Sequence, residues 1–153
     1  MIFVYDAKVL RHYTGRRYFM GSQVIIDNEY ATLWYHPEAK IVHHQFHKFI
    51  HGNALREVLN RGVEACTAYE AHKWLSDDRH NSTLTKEDGE WGLVDWSPRV
   101  FAAGWKYWAV VLPDKKIGQI NLNLFMREYI ARGLEVRVFE DPDEALRWLE
   151  SVE

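Results

Sequence analysis

Apolar positions along this 153-residue chain follow two rhythms that alternate with one another. Leu55, Val58, Leu59, Gly62, Val63 and Cys66 recur at intervals of three and four, the spacing of one helix face, which predicts a helix over about 54–70. Tyr30 to Tyr35 and Ile41 to Ile50 are instead rich in aromatic and β-branched residues and read as strands. His36-Pro37-Glu38-Ala39-Lys40 separates them as a turn, because Pro37 biases His36 away from helical geometry. The pair predicts a β-hairpin. Gly52 and Asn53 stop it, with Asn53 placed to cap the next helix.

The alternation continues. Trp74 and Leu75 predict a short buried strand that runs into the polar loop Ser76 to Thr83. A helix follows over about 86–103, with Pro98 expected to end or kink it at Ser97 and Gly104 closing it. Tyr107 to Leu112 is a continuous apolar run, as expected of a strand covered on both faces, and Pro113 ends it. Ile117 to Arg132 predicts a third helix that faces inward through Ile120, Leu124, Tyr129 and Ile130, with Gly133 as its C-cap. Leu134 to Phe139 is a strand. Asp141, Pro142 and Glu144 form the clearest helix start in the chain, and Leu146 and Leu149 seat that helix on the sheet.

Strands that alternate with helices require crossovers, so the later strands are expected to be parallel. The fold class is therefore a single α/β domain with a mixed sheet, an opening hairpin followed by β-α repeats, and about four helices. Residues 28–153 form this domain. Residues 1–27 read as an N-terminal extension with short strands at Ile2–Tyr5 and Gln23–Ile26.

Composition narrows the classes. Nineteen basic residues against 22 acidic ones give a net charge of −3, which leaves no electrostatic footprint for nucleic acid. The single cysteine, Cys66, excludes an intrachain disulfide and lies on a helix stripe, where a structural thiol is expected. No apolar run nears the roughly 18 residues of a membrane span, and the N-terminus lacks the basic and long apolar regions of a signal peptide, so a cytoplasmic protein is expected. Aromatic residues make up 14% of the chain, enough to predict large apolar contact surfaces in a core or at an interface. With an exposed hairpin edge, that richness suggests a homodimer.

Two stretches could carry chemistry. His43, His44, His47 and His51 cluster, but His43 and His47 would stand about 13 Å apart along a strand rising ~3.3 Å per residue, and His44 would face the other way, so no metal site is expected. Asp77, Asp78 and His80 combine carboxylates with an imidazole, as general acid-base catalysis requires, yet adjacent strand residues point to opposite faces. No glycine-rich phosphate loop or nucleophile elbow is present. Trp91, Trp96, Trp105 and Trp108 surround the proline-bearing helix, either as core or as the wall of an apolar cleft.

The segments Tyr30-Ala31-Thr32-Leu33-Trp34-Tyr35-His36-Pro37-Glu38, Lys73-Trp74-Leu75-Ser76-Asp77-Asp78-Arg79, Gly104 to Pro113, and Phe139 to Leu149 resemble the SpoIIAA-like branch of the STAS/SEC14-like superfamily, over about residues 28–151. In that superfamily, bacterial anti-sigma antagonists carry an Asp followed by a phospho-accepting Ser or Thr at a helix start. The resemblance implies Asp77 or Asp78 as the acid and Ser82 or Thr83 as the acceptor, although Arg79-His80-Asn81 lengthen the spacing. Asp77, Asp78, Arg79, Asn81, Ser82 and Thr83 are accordingly a candidate partner or phospho-loop.

Three functions follow as expectations. The first is a non-enzymatic signalling module of STAS type that binds a protein partner. The second is a carrier of a small apolar ligand or lipid, using Trp91, Trp96, Trp105 and Trp108, which the SEC14-like side of the resemblance implies. The third is an enzyme using Asp78 and His80. No cofactor is called for by any of them.

Overall fold

The structure, a computed structural model, describes residues 21–81 and 83–153. Strands β1 (Gln23–Asp27), β2 (Ala31–His36), β3 (Ile41–Phe46), β4 (Lys73–Asp77), β5 (Tyr107–Val111) and β6 (Glu135–Phe139) form one sheet in the order of the chain. β1, β2 and β3 are antiparallel, and β3 to β6 are parallel. The mixed α/β sheet is the architecture that the residue pattern predicts. The strand at Gln23–Ile26, assigned from sequence to an extension, is the outer strand of this same sheet; the one at Ile2–Tyr5 lies outside the described residues. β1 also corrects the exposed hairpin: β2 is buried along its whole length and β3 nearly so. The edge argument for a homodimer falls with it.

Helix α1 (Gly52–Tyr69) joins β3 to β4, and α4 (Lys116–Ala131) joins β5 to β6. Between β4 and β5 run α2 (Lys86–Trp91), a π-helical turn (Gly92–Trp96) and α3 (Ser97–Ala102). Their junctions all keep right-handed helical backbone, so they make one continuous helical body. Each crossover steps one strand in the same direction, and the near-universal right-handedness of such crossovers then puts all three connections on one face. Packing agrees: Val42, Trp74, Trp108 and Val110 meet Leu55, Val58, Val100, Met126 and Tyr129 there. Helix α5 (Pro142–Ser151) covers the opposite face, where Ala145, Leu146, Trp148 and Leu149 pack on Ile41, Leu75, Ala109 and Val111. It starts where expected, with Asp141 accepting a hydrogen bond from the backbone N–H of Asp143 at 2.9 Å.

Three local expectations change. His51, not Asn53, precedes α1. The predicted break at Ser97 is a π turn instead: the Ser97 N–H reaches back five residues to the Gly92 carbonyl. That leaves the Leu93 carbonyl without its usual backbone donor, and the Ser97 hydroxyl supplies one at 2.9 Å. Pro98, which has no N–H to give, follows within the next turn without interrupting the helix. Helix α4 is rotated from its predicted facing. Gly118, Met126 and Tyr129 are buried, while Ile117, Ile120, Leu124 and Ile130 are each more than half exposed. Both faces of this helix carry apolar residues, so periodicity alone does not choose between them.

Gly62 explains how closely α1 lies on the sheet. A Cβ built there would stand 2.1 Å from the far end of the Trp74 ring. The space glycine leaves is filled by the indole. Gly62→Ala is therefore expected to destabilise the fold by about 1–3 kcal/mol, the usual range for overpacking, despite alanine's better helix propensity. In a Trp74→Phe background, whose shorter ring does not reach that point, the same change is expected to be close to neutral. Urea unfolding of the two singles and the double variant measures this, and additive effects would reject the contact as the cause.

Candidate functional site

The carboxyl ends of β3, β4 and β5 open beneath the helical face of the sheet, the place where open α/β sheets gather their ligands. Alternation along β4 sends Trp74 and Ser76 to that face and Leu75 and Asp77 to the other, and Asp78, just past the strand, continues the first set. A cavity of about 110 Å³ lies there. Its floor is Trp74, Ser76 and Trp108; its sides are Trp96 and Gly92 from the π turn and Leu122 and Phe125 from α4. His44, Asp78, Asn81, Thr83 and Asn121 supply its polar rim.

The indoles form one continuous aromatic wall. Trp74 meets Trp96 edge-on at 5.4 Å between ring centroids, Trp96 meets Trp105 at 5.6 Å, and Trp105 meets Trp108 at 5.3 Å. Each indole N–H is already bound: Trp96 donates to the Leu59 carbonyl, Trp105 to the Tyr107 carbonyl, and Trp108 to the Ser76 hydroxyl. These bonds fix the ring orientations and leave none of these N–H groups free for a ligand. Tyr129 closes the wall, and burial pushes its phenol up to about 12.

Trp74 also sets the state of a histidine. Its indole N–H donates to His44 Nδ1 at 3.0 Å. An indole nitrogen can only donate, so Nδ1 carries no proton and the imidazole proton sits on Nε2. Nε2 in turn lies 2.8 Å from Asp78 Oδ1 and donates to it. His44 is thus a neutral imidazole with both nitrogens occupied, and Asp78, which lines the cavity, holds one oxygen against it. Sequence proximity paired Asp78 with His80. The structure instead places His80 outside the cavity, 3.7 Å from Asp114, and brings up His44 from 34 residues away. Parallel register does this, since His44 lies opposite Ser76.

The predicted loop residues divide between two faces. Asp78, Asn81 and Thr83 line the cavity. Asp77, buried on the other face, takes a bidentate pair from Arg79 at 2.9 and 2.8 Å and also receives the Arg79 backbone N–H, which folds the turn. That pairing holds the guanidinium above its usual range. Ser82 lies outside the described residues. The Thr83 hydroxyl donates to the Leu84 carbonyl and accepts from Asn121 Nδ2. The helix start falls later, at Thr85, whose hydroxyl accepts from the Asp88 N–H at 3.1 Å. Asp88, also buried, ties α2 to the first turn of α1 by accepting from the Gly52 N–H at 2.8 Å.

Of the four predicted cleft tryptophans, Trp96, Trp105 and Trp108 line the cavity and Trp91 does not. Trp91 stacks instead beneath the Arg56 guanidinium, 5.1 Å from its ring. Trp74 belongs to the wall but was not singled out from sequence; its position opposite Trp108 in adjacent parallel strands is the signal that would have found it. Cys66 is buried, and burial pushes its thiol up to about 12. Among the described residues no three His, Cys, Asp or Glu side chains converge as a metal site requires, and no helix is long and apolar enough to cross a membrane.

His36, His43 and His47 lie on the opposite face of the sheet from His44. His36 is buried, with Ser22 Oγ 2.9 Å from Nδ1 and His43 Nδ1 3.0 Å from Nε2. His47 lies 2.8 Å from the Thr32 hydroxyl. Comparison with known families, with curated proteins and with solved structures found no match for this chain.

Burial lowers the His36 pKa from its ordinary 6.5 to about 4. The unfolded chain therefore takes up the proton more readily than the folded one. Stability on this account is complete above about pH 6.5 and falls as the pH drops toward 4, by up to roughly 3 kcal/mol. Urea unfolding between pH 7.5 and 5 is expected to show this slope, and His36→Gln to flatten it. An equal slope in both proteins would assign the pH dependence elsewhere.

Proposed function

We propose that this chain is a small-molecule-binding domain whose ligand places an apolar group in the tryptophan-lined cavity and a polar group against Asp78. The observation that carries the reading is the cavity itself. It is a cleft of about 110 Å³, open on one side, whose wall is mostly apolar and includes Trp74, Trp96, Trp105, Trp108, Phe125 and Tyr129. An apolar cavity of about 150 Å³ is known to stay dry and to bind benzene. This space therefore suits a ring or a short branched chain rather than a long acyl tail. At the polar rim Asp78, Thr83 and Asn121 are partly exposed while His44 and Asn81 are buried, so the ligand has an entry side and an anchored end. This narrows the carrier reading of the SEC14-like resemblance to small ligands.

A second reading, a protein-interaction module of STAS type, has one observation in its favour. Ile117, Ile120 and Leu124 form an exposed apolar stripe on α4, the helix whose inner face lines the cavity. An α/β domain with a mixed sheet is compatible with that family. A module that docks through this stripe would lose its partner on Leu124→Glu, and unchanged association would reject it.

Gly92 offers the test of the first reading. It is buried, it lines the cavity, and a Cβ built on it meets nothing within 4 Å. Its backbone is helical, so a larger residue is allowed there. Gly92→Leu is expected to fill the cavity and keep the fold. Toluene titrated into the native protein is expected to change tryptophan fluorescence with saturation in the millimolar range or below. The Gly92→Leu protein, with an unchanged circular dichroism spectrum, is expected to lose that response. Absence of any saturable response in the native protein would overturn the reading.

A further inference from the structure

We infer that the cavity selects an organic cation, a small primary or substituted ammonium group carried on an apolar body. The inference rests on the binding reading above and names its ligand class.

Three independent features of the site converge on it. The first is charge. Among the described residues, the lining contains two carboxylates, Asp78 and Asp88, and no lysine or arginine. Asp88 is compensated: Arg56 Nε stands 3.4 Å from Oδ1, while the Gly52 N–H and the Thr85 hydroxyl bind Oδ2. Asp78 is not. Its one side-chain partner among the described residues is His44 Nε2, and the Trp74 indole fixes His44 in its neutral tautomer. Asp78 thus receives a hydrogen bond but no positive charge. A carboxylate whose side chain is 14% exposed, beside an aromatic wall, lacks both full hydration and a counter-ion. A ligand cation supplies the counter-ion.

The second feature is the wall. With every one of the four indole N–H groups bound elsewhere in the fold, the tryptophans have no donor left for an anionic or carbonyl ligand. An indole attracts a cation held over its face, and four indoles line or border this space. The third feature is the contrast across the sheet. Asp77, one residue away and pointing to the other face, is held by the bidentate Arg79 pair. Among the described residues, an arginine pairs with the structural carboxylate and none with the one that faces the cavity.

Geometry orders the ligand. Ser76, Trp74 and Trp108 lie at the floor and Asp78, more exposed, at the rim, so the apolar body enters first and the ammonium group stops at the Asp78 carboxylate. Chemistries such as aralkylamines and branched aliphatic amines meet that description.

The test uses benzyl compounds, which share one ring and differ in the charge of the head. Benzylamine, a cation at neutral pH, benzyl alcohol and phenylacetate are titrated into the native full-length protein and followed by tryptophan fluorescence and by chemical-shift perturbation. Benzylammonium is expected to bind at least tenfold more tightly than benzyl alcohol, and phenylacetate more weakly than either. The preference should shrink as salt is raised. Asp78→Asn keeps an oxygen for His44 to donate to, and is expected to bring the ratio of benzylammonium to benzyl alcohol affinity close to one.

Equal binding of alcohol and ammonium by the native protein would overturn the cation inference and leave the cavity reading standing. Binding of neither would overturn both. Preference for the cation that survives in Asp78→Asn would take the role from Asp78. Because the native protein alone, with three ligands that share a ring and differ in head charge, already decides the main question, a failure of the variant to fold leaves the inference open to refutation.

Discussion

The Trp74 indole is the contact on which both the fold and the site depend. It lies at the centre of the sheet, nearly completely buried, and its far edge occupies the space that Gly62 leaves on α1. Its faces and edges order Trp96 and Trp105, and its N–H chooses the tautomer of His44. One side chain thereby sets the spacing of a helix, the stacking of the aromatic wall and the charge state of the group behind Asp78. Loss of its hydrogen bond would leave the buried His44 Nδ1 unpaired, a penalty of about 1–3 kcal/mol that explains why a donor stands there and not a simple apolar ring.

The cavity follows from how the helices are laid over the sheet. Three crossovers fall on one face, and the middle one carries a π turn in place of a regular helical turn. The wider turn holds Gly92 and Trp96 on the same wall, with nothing in place of a side chain at Gly92 and a large ring at Trp96. The opposite side is built by α4, whose Leu122 and Phe125 are only partly buried. Large rings that pack against one another edge-on cannot close every gap between them. The space that remains is bounded by rigid, hydrogen-bonded groups that have little freedom to collapse into it.

Much of the architecture was legible in the chain because it rests on local patterns. Strand alternation put Asp77 and Asp78 on opposite faces, the continuous run at Tyr107–Leu112 marked a strand covered on both sides, and the Asp141-Pro142 pair marked the start of the last helix. The features that escaped are those that depend on distant partners. The imidazole beside Asp78 comes from β3 and not from the next turn, because parallel register, which no local pattern encodes, sets His44 beside Ser76. The inward face of α4 was misjudged because Leu122, Phe125 and Met126 compete with Ile120 and Leu124 for the same apolar rhythm. The hairpin looked exposed because its outer neighbour, β1, has weak periodicity. The candidate site was half legible: its loop and three of its tryptophans were named, but as two separate sites, whereas the fold joins Asp78, Asn81 and Thr83 to Trp96, Trp105 and Trp108 around a single space.

The central claim is that this space is preformed and held open by the fixed indoles. A crystal structure determined under xenon pressure tests it most directly, since xenon enters dry apolar cavities without needing any other recognition. The account predicts a xenon peak between Trp96, Trp105, Trp108 and Leu122, with the four indole hydrogen bonds unchanged. Indoles that have rotated inward to fill the space, with no xenon bound, would contradict it.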